Sequence, residues 1–193
     1  SANPAWVAAD LLAQAEHDAD AQSILVTCSK SLAEAVSKEI DIQLEKLDTA
    51  TTAIQSIQNN GMIILCESYE EACKIANEKA PEHLELAFED TAQRAKLVEL
   101  CRNFGSLFIG HRSAEVLGDY AAGLNHTLPT VGTAKFTGGL SVRHFLKTVT
   151  TLRTEENPDG SVKEGVKAST KAANIIGHAE GLSGHANAAF VRM

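Results

Sequence analysis

Asn59-Asn60-Gly61-Met62-Ile63-Ile64-Leu65-Cys66-Glu67-Ser68-Tyr69-Glu70-Glu71 carries three signals in succession. Asn-Asn-Gly is a helix stop signal. Met62–Cys66 is a short apolar run that reads as a buried strand. Ser68 followed by Glu71 is a capping box that opens a new helix. A strand held between two helices in so few residues predicts a βαβ chain and not a hairpin protein.

Upstream, Asp48 is expected to start the helix that ends at Gly61, and Ser31 with Glu34 to open a longer one reaching about Leu47. Gln22–Cys28 (QSILVTC) reads as the preceding strand, and Ala5–His17 as an amphipathic helix with Asn3 as N-cap and Pro4 in its first turn. Downstream, the helix after Ser68 must stop before Pro81, since proline bars helical geometry at Ala80. His83–Phe88 is the next strand, Asp90 caps a helix to about Arg102, and Ser106–Ile109 is a fourth strand. The fold class is therefore α/β: an incomplete Rossmann-like parallel sheet with flanking helices, over residues 1–140. Residues 141–193 lack strand-like runs. Leu140–Leu152 and Ser161–Leu182 read as two helices around a polar loop, with Ser161 and Glu164 as a box and Gly181 and Gly184 breaking the second before a short tail. Two helices bury little alone, so this small all-helical segment is expected to pack on something else, as a dimerisation element would.

The 193-residue chain carries 44% apolar residues and a formal charge of -8, an ordinary globular balance without the basic cluster that binding to nucleic acid needs. No run is long enough to span a membrane and no signal peptide is evident, which points to the cytoplasm or an organelle lumen. Cys28, Cys66, Cys73 and Cys101 show no CxxC spacing and read as small hydrophobes. Ser1-Ala2-Asn3-Pro4 leads directly into a helix, without a starting methionine or leading strand, as in a fragment of a longer protein.

Several residues could do chemistry. Gly118–Thr130 (GDYAAGLNHTLPT) follows the fourth strand and sets Asp119 and His126 in a loop stiffened by Pro129. Spacing alone favours a plainer reading, a helix from Ala114 to Ala122 capped by Gly123, with His126 an ordinary loop histidine. Gln14 and His17 share one helix face, and Glu82-His83 at a strand start could form an acid–base pair or a plain exposed edge. Glu180 and His185 lie among terminal glycines that could turn His185 toward a partner or simply cap a helix.

Taken together, Gln14–His17 (QAEH), Pro81–Leu86 (PEHLEL), Gly118–Thr130, Phe145–Lys147 (FLK) and Ala179–Ala188 (AEGLSGHANA) resemble histidinol dehydrogenases in order and approximate spacing, across nearly the whole chain. The resemblance implies the C-terminal portion of a longer enzyme, a homodimer that oxidises L-histidinol to L-histidine via the aldehyde with NAD and Zn2+. It implies Gln14, His17, Asp119 and His185 as metal ligands and Glu82 and His83 as the catalytic acid–base pair. Substrate contacts would come from Gln14, His17, His83, Asp119, His126, Glu180 and His185, with Glu180 and His185 completing the partner's site. In the family much of the NAD site, and a serine that touches substrate, lie upstream of the matching segment, so this stretch by itself is expected to be inactive. The segment Ala134–Gly160 departs from the family, and FTGGL with NHTLPT is similar to the zinc-dependent sulfopropanediol dehydrogenases. Tyr120 after Asp119 and the PEHLEL form favour histidinol. A non-catalytic domain that folds, dimerises and binds zinc is the competing expectation.

Overall fold

A computed structural model describes residues 1–193 and divides them into two compact units, Ser1–Phe145 and Leu146–Met193. In the first, the order is α1 (Pro4–Ala15), β1 (Ile24–Thr27), α2 (Lys30–Leu44), α3 (Ala50–Asn60), β2 (Met62–Leu65), α4 (Tyr69–Lys79), β3 (His83–Leu86), α5 (Ala92–Leu100), β4 (Ser106–Ile109) and the short α6 (Val116–Tyr120). This is an incomplete Rossmann-like α/β unit. Its strands pair in parallel, as expected, but as two separate pairs: β1 with β2 (Ile24 opposite Met62) and β3 with β4 (His83 opposite Ser106).

Each half has its own core. Val7, Ala8, Leu12 and Ala15 of α1 pack on Val36 and Ile40 of α2 and Ala53 of α3. Cys73, Leu97 and Cys101 form a second cluster between α4 and α5, covered by Leu84, Leu86 and Phe88. All four cysteines are free thiols, and burial pushes Cys101 up to about 12, so these sulfurs act as packing groups. β2 departs from the expectation of a buried strand. Met62, Ile63 and Leu65 are 47%, 41% and 53% exposed in this two-stranded sheet.

Caps follow side-chain reach more than sequence pattern. The Asn3 carboxamide accepts the Ala5 and Trp6 N–H groups, and Ser68 accepts that of Glu71, both as expected. The next two caps fall one or two residues from the expected ones: Ser29, not Ser31, caps α2, and Thr91, not Asp90, caps α5. α4 ends on Ala80 in the left-handed region (φ 50), since Pro81 forbids the right-handed helix there. Gly105 is required at its position: a Cβ would meet the Glu82 carbonyl oxygen at 2.5 Å and Pro129 Cδ at 3.0 Å. The tight turn thus seats the start of β3 against the Leu128-Pro129 loop.

In the second unit α7 (Glu164–Ala179) and α8 (Ser183–Phe190) form a helical hairpin. Gly181 (φ 74) reverses the chain, and Leu182 N–H returns to the Gly177 carbonyl at 2.8 Å. Gly177 lets Ala186 approach so closely that a Cβ would lie 2.8 Å from the Ala186 nitrogen. The terminal tail is therefore a helix, where the glycines had pointed to irregular chain. The helix expected over Leu140–Leu152 is absent; only Val142–Phe145 makes a 3-10 turn. Its β-branched run Thr148-Val149-Thr150-Thr151 has low helix propensity. Ser161 bonds Asp159 and does not cap α7, which starts after Lys163.

Candidate metal and acid–base site

β3 alternates, and its two faces meet different partners. Leu84, Leu86 and Phe88 turn to the α4–α5 cluster, while Ala87 packs against the α1 core. His83 and Glu85 share that second face. Along α1 a four-residue step rises about 6 Å; along a strand a two-residue step rises about 6.6 Å. Two residues of α1 can therefore face two alternate residues of β3. Gln14 meets His83, its Oε1 2.9 Å from His83 Nδ1, and Asp10 lies beside Glu85.

α6 supplies the third wall. Ser113 Oγ donates to the Ile109 carbonyl at 2.7 Å, and Gly118 N–H bonds the Glu115 carbonyl at 2.8 Å, fixing the chain as it leaves β4. Glu115, only 4% exposed, brings Oε2 to 3.9 Å from His83 Nε2. Asp119 follows one turn later. A ligand atom from each of His83, Glu115 and Asp119 lies within 4.8 Å of the others. The Phe108 ring, tilted 53° and 5.8 Å from the imidazole, closes the apolar side.

The electrostatics are crowded with acid. Burial pushes the Glu115 carboxyl up, against the pull of His83, while Asp119 pushes it further. Burial, then Asp10, then Glu115 raise Glu85 to about 8, and burial raises Asp10. Gln14 Nε2, His83 Nε2 and Glu115 Oε2 are buried without hydrogen-bond partners. Unsatisfied buried polar atoms are costly, each about 1–3 kcal/mol, and crowded carboxylates repel. A divalent cation would relieve the repulsion between these acids, and carboxylate and amide oxygens form a donor set that suits one. These residues fit a metal.

Of the residues singled out from sequence, the first unit gathers Gln14, His83 and Asp119. His17 stands at the end of α1, exposed in the turn after the helix, near enough for its charge to act on Glu115. Glu82 is half-buried beside His83, its carbonyl accepting Ser106 N–H at 2.9 Å. His126 is exposed in the loop after α6 and makes none of the cluster's contacts. Glu180 caps α7 and His185 lies in the first turn of α8, both exposed in the second unit. Sequence reading missed Glu115, Glu85 and Asp10. The available signals were the alternation in HLEL and the four-residue spacing of Glu115 from Asp119.

Comparison with known proteins agrees with this architecture. The family model described as histidinol dehydrogenase matches residues 1–193. The histidinol dehydrogenase of Caldanaerobacter subterraneus subsp. tengcongensis is 47% identical over 192 residues, which is 100% of this chain and 42% of that protein. That of Streptococcus mutans is 43% identical over 192 residues, covering 100% of this chain and 43% of its own. The crystal structure of histidinol dehydrogenase from Elizabethkingia anophelis superposes with a TM-score of 0.84 at 37% identity, over 99% of this chain and 42% of that one. The chain thus spans less than half the length of these relatives.

Proposed function

The chain belongs to the histidinol dehydrogenase family, and on that premise we propose that the cluster of Gln14, His83, Glu115 and Asp119 belongs to a centre oxidising L-histidinol to L-histidine through the aldehyde. When bound, zinc would orient and polarise the substrate and NAD⁺ would accept the hydrides. Gln14, His17 and Asp119 hold the metal, together with His185 of the neighbouring subunit of a homodimer. Residues 141–193 are the segment that reaches across, and Glu180 and His126 contact the substrate. The rest of the longer polypeptide supplies most of the nicotinamide site, and the whole acts in the cytoplasm.

His83 takes the alcohol proton at Nε2, the ring nitrogen left free when Nδ1 bonds Gln14. Its neighbour Glu82 activates water, so that the hydrated aldehyde can give up a second hydride. The low polarity contributed by Phe108 strengthens each of these contacts. One observation carries the reading: Asp119 comes within 4.8 Å of His83 and Glu115, with Gln14 bonded to the same imidazole, in a family of dehydrogenases.

The test is metal analysis of the full-length protein, followed by NADH formation from L-histidinol and, separately, from a sulfopropanediol. Bound zinc with NADH from histidinol is the expected result. NADH from the sulfonate alone would transfer the protein to the related branch. Zinc without turnover on either alcohol would leave a metal-binding, dimerising domain. With histidinal supplied, Glu82→Gln should stop the second oxidation; retained oxidation would remove Glu82 from the water-activating role.

A further inference from the structure

The geometry points to Glu115 as a positioning residue for His83, a carboxylate that holds the imidazole in its working orientation. The inference rests on the reading of His83 as proton acceptor. An acid only 4% exposed needs a reason to be buried; the one basic group within ion-pair distance of Glu115 is His83, with His17 a weaker influence and the Gln14 amide a further neighbour. Its Oε2 and His83 Nε2 face each other at 3.9 Å, and neither has a hydrogen-bond partner.

The opposite ring nitrogen is already engaged. With Gln14 Oε1 accepting at 2.9 Å, Nδ1 carries the proton and Nε2 of the neutral ring is a bare acceptor. A proton arriving from an alcohol makes Nε2 a donor aimed at a carboxylate. Closing from 3.9 Å to a charge-assisted bond of about 2.8 Å takes a small swing of the ring over Phe108. The Glu115 backbone is held by the Gly118 bond, and Gly118 packs on the Phe108 ring. One side chain thus selects the tautomer from the α1 side and another receives the charged ring from the α6 side. Catalysis by a positioned base depends on that alignment, and a 1 Å error can cost on the order of 10²-fold.

The experiment uses the full-length, zinc-loaded protein with Glu115→Gln, His83→Asn and the double variant. Glu115→Gln should lower kcat about 10²-fold, with KM changed less than about two-fold and zinc content unchanged. In the His83→Asn background the same change should cost less than about three-fold, because Glu115 acts through the ring. A full second loss there, or loss of zinc with Glu115→Gln, would overturn the proposal and mark a packing role or a metal ligand. Independently of turnover, the imidazole nitrogen resonances of His83 should move in Glu115→Gln; unmoved resonances would also overturn it. Where Glu115→Gln fails to fold, Glu115→Asp keeps the charge one methylene further back and should lower kcat by an intermediate factor with zinc retained; an unchanged kcat counts against positioning. A wild-type protein that makes no NADH would sink the dehydrogenase reading, and the ring resonances would then decide positioning alone.

Discussion

Glu85→Gln should remove a pH-dependent loss of stability. Glu85 lies on the α1 face of β3 beside Asp10, and burial with that neighbour raises it to about 8 from an ordinary 4.5. The folded protein therefore holds a proton that the unfolded chain releases. The stabilisation is fully present below about 4.5 and is lost as the pH rises through about 8. At about 1.4 kcal/mol per pH unit the ceiling is near 5 kcal/mol. The side chain is only half-buried and the proton is shared with Asp10, which reduces the working figure to the order of 1–3 kcal/mol. Glutamine cannot ionise, so the variant should match wild type near pH 5 and exceed it near pH 8.5. The assay is urea unfolding with a chelator present, so that no cation competes with protons. Trp6, the single tryptophan, sits on α1 with Asp10 and reports the relevant unit. With a typical urea slope the midpoint should rise by about 0.5–1.5 M at pH 8.5 and by little at pH 5. Parallel pH slopes for the two proteins would refute the argument.

Gly118→Ala places a methyl 2.9 Å from Phe108 Cε1, and that ring backs His83. Overpacking of about 1–3 kcal/mol should outweigh the helix gain of at most about 1 kcal/mol, so Tm falls; a higher Tm would show that the ring yields freely. Asn77→Ala removes the acceptor for Arg102 N–H (2.7 Å) and Asn103 N–H (3.1 Å) and the donor to the Leu100 carbonyl (2.8 Å). It should cost about 2–3 kcal/mol in urea unfolding, and an unchanged midpoint would mean that water replaces all three bonds. Full-length His17→Ala and His185→Phe, each inactive, should recover about a quarter of wild-type activity when mixed, since half the dimers are mixed and each carries one intact site. No recovery would count against a site shared between subunits.

The fold was readable wherever a short apolar run met a turn signal. Ser106–Ile109 is a strand residue for residue, and the strands at Ile24, Met62 and His83 start within two residues of expectation. Caps slipped where serine, threonine and aspartate crowd together, since any of them can accept the first free N–H groups. Leu140–Leu152 misled because apolar spacing records which residues need covering, whereas a helix also needs residues that favour it. Phe145, Leu146, Val149 and Leu152 are all exposed.

The site was half readable, and the missing half has a physical cause. Gln14, His17 and Asp119 stood out through the motifs that resemble the family; spacing by itself only sets Gln14 and His17 on one helix face and Asp119 in a loop. Glu115, Glu85 and Asp10 are acids, and from sequence an acid is by default a solvated surface charge. Their burial arises from tertiary matching: four residues of α1 and two residues of β3 cover nearly the same length, so Asp10 falls beside Glu85 whenever Gln14 meets His83. The pairing that orients His83 therefore brings a second carboxyl pair into the same interface. Moving α1 by one turn would relieve the acid pair but take Gln14 from the imidazole, so this crowding follows from the alignment that the site requires.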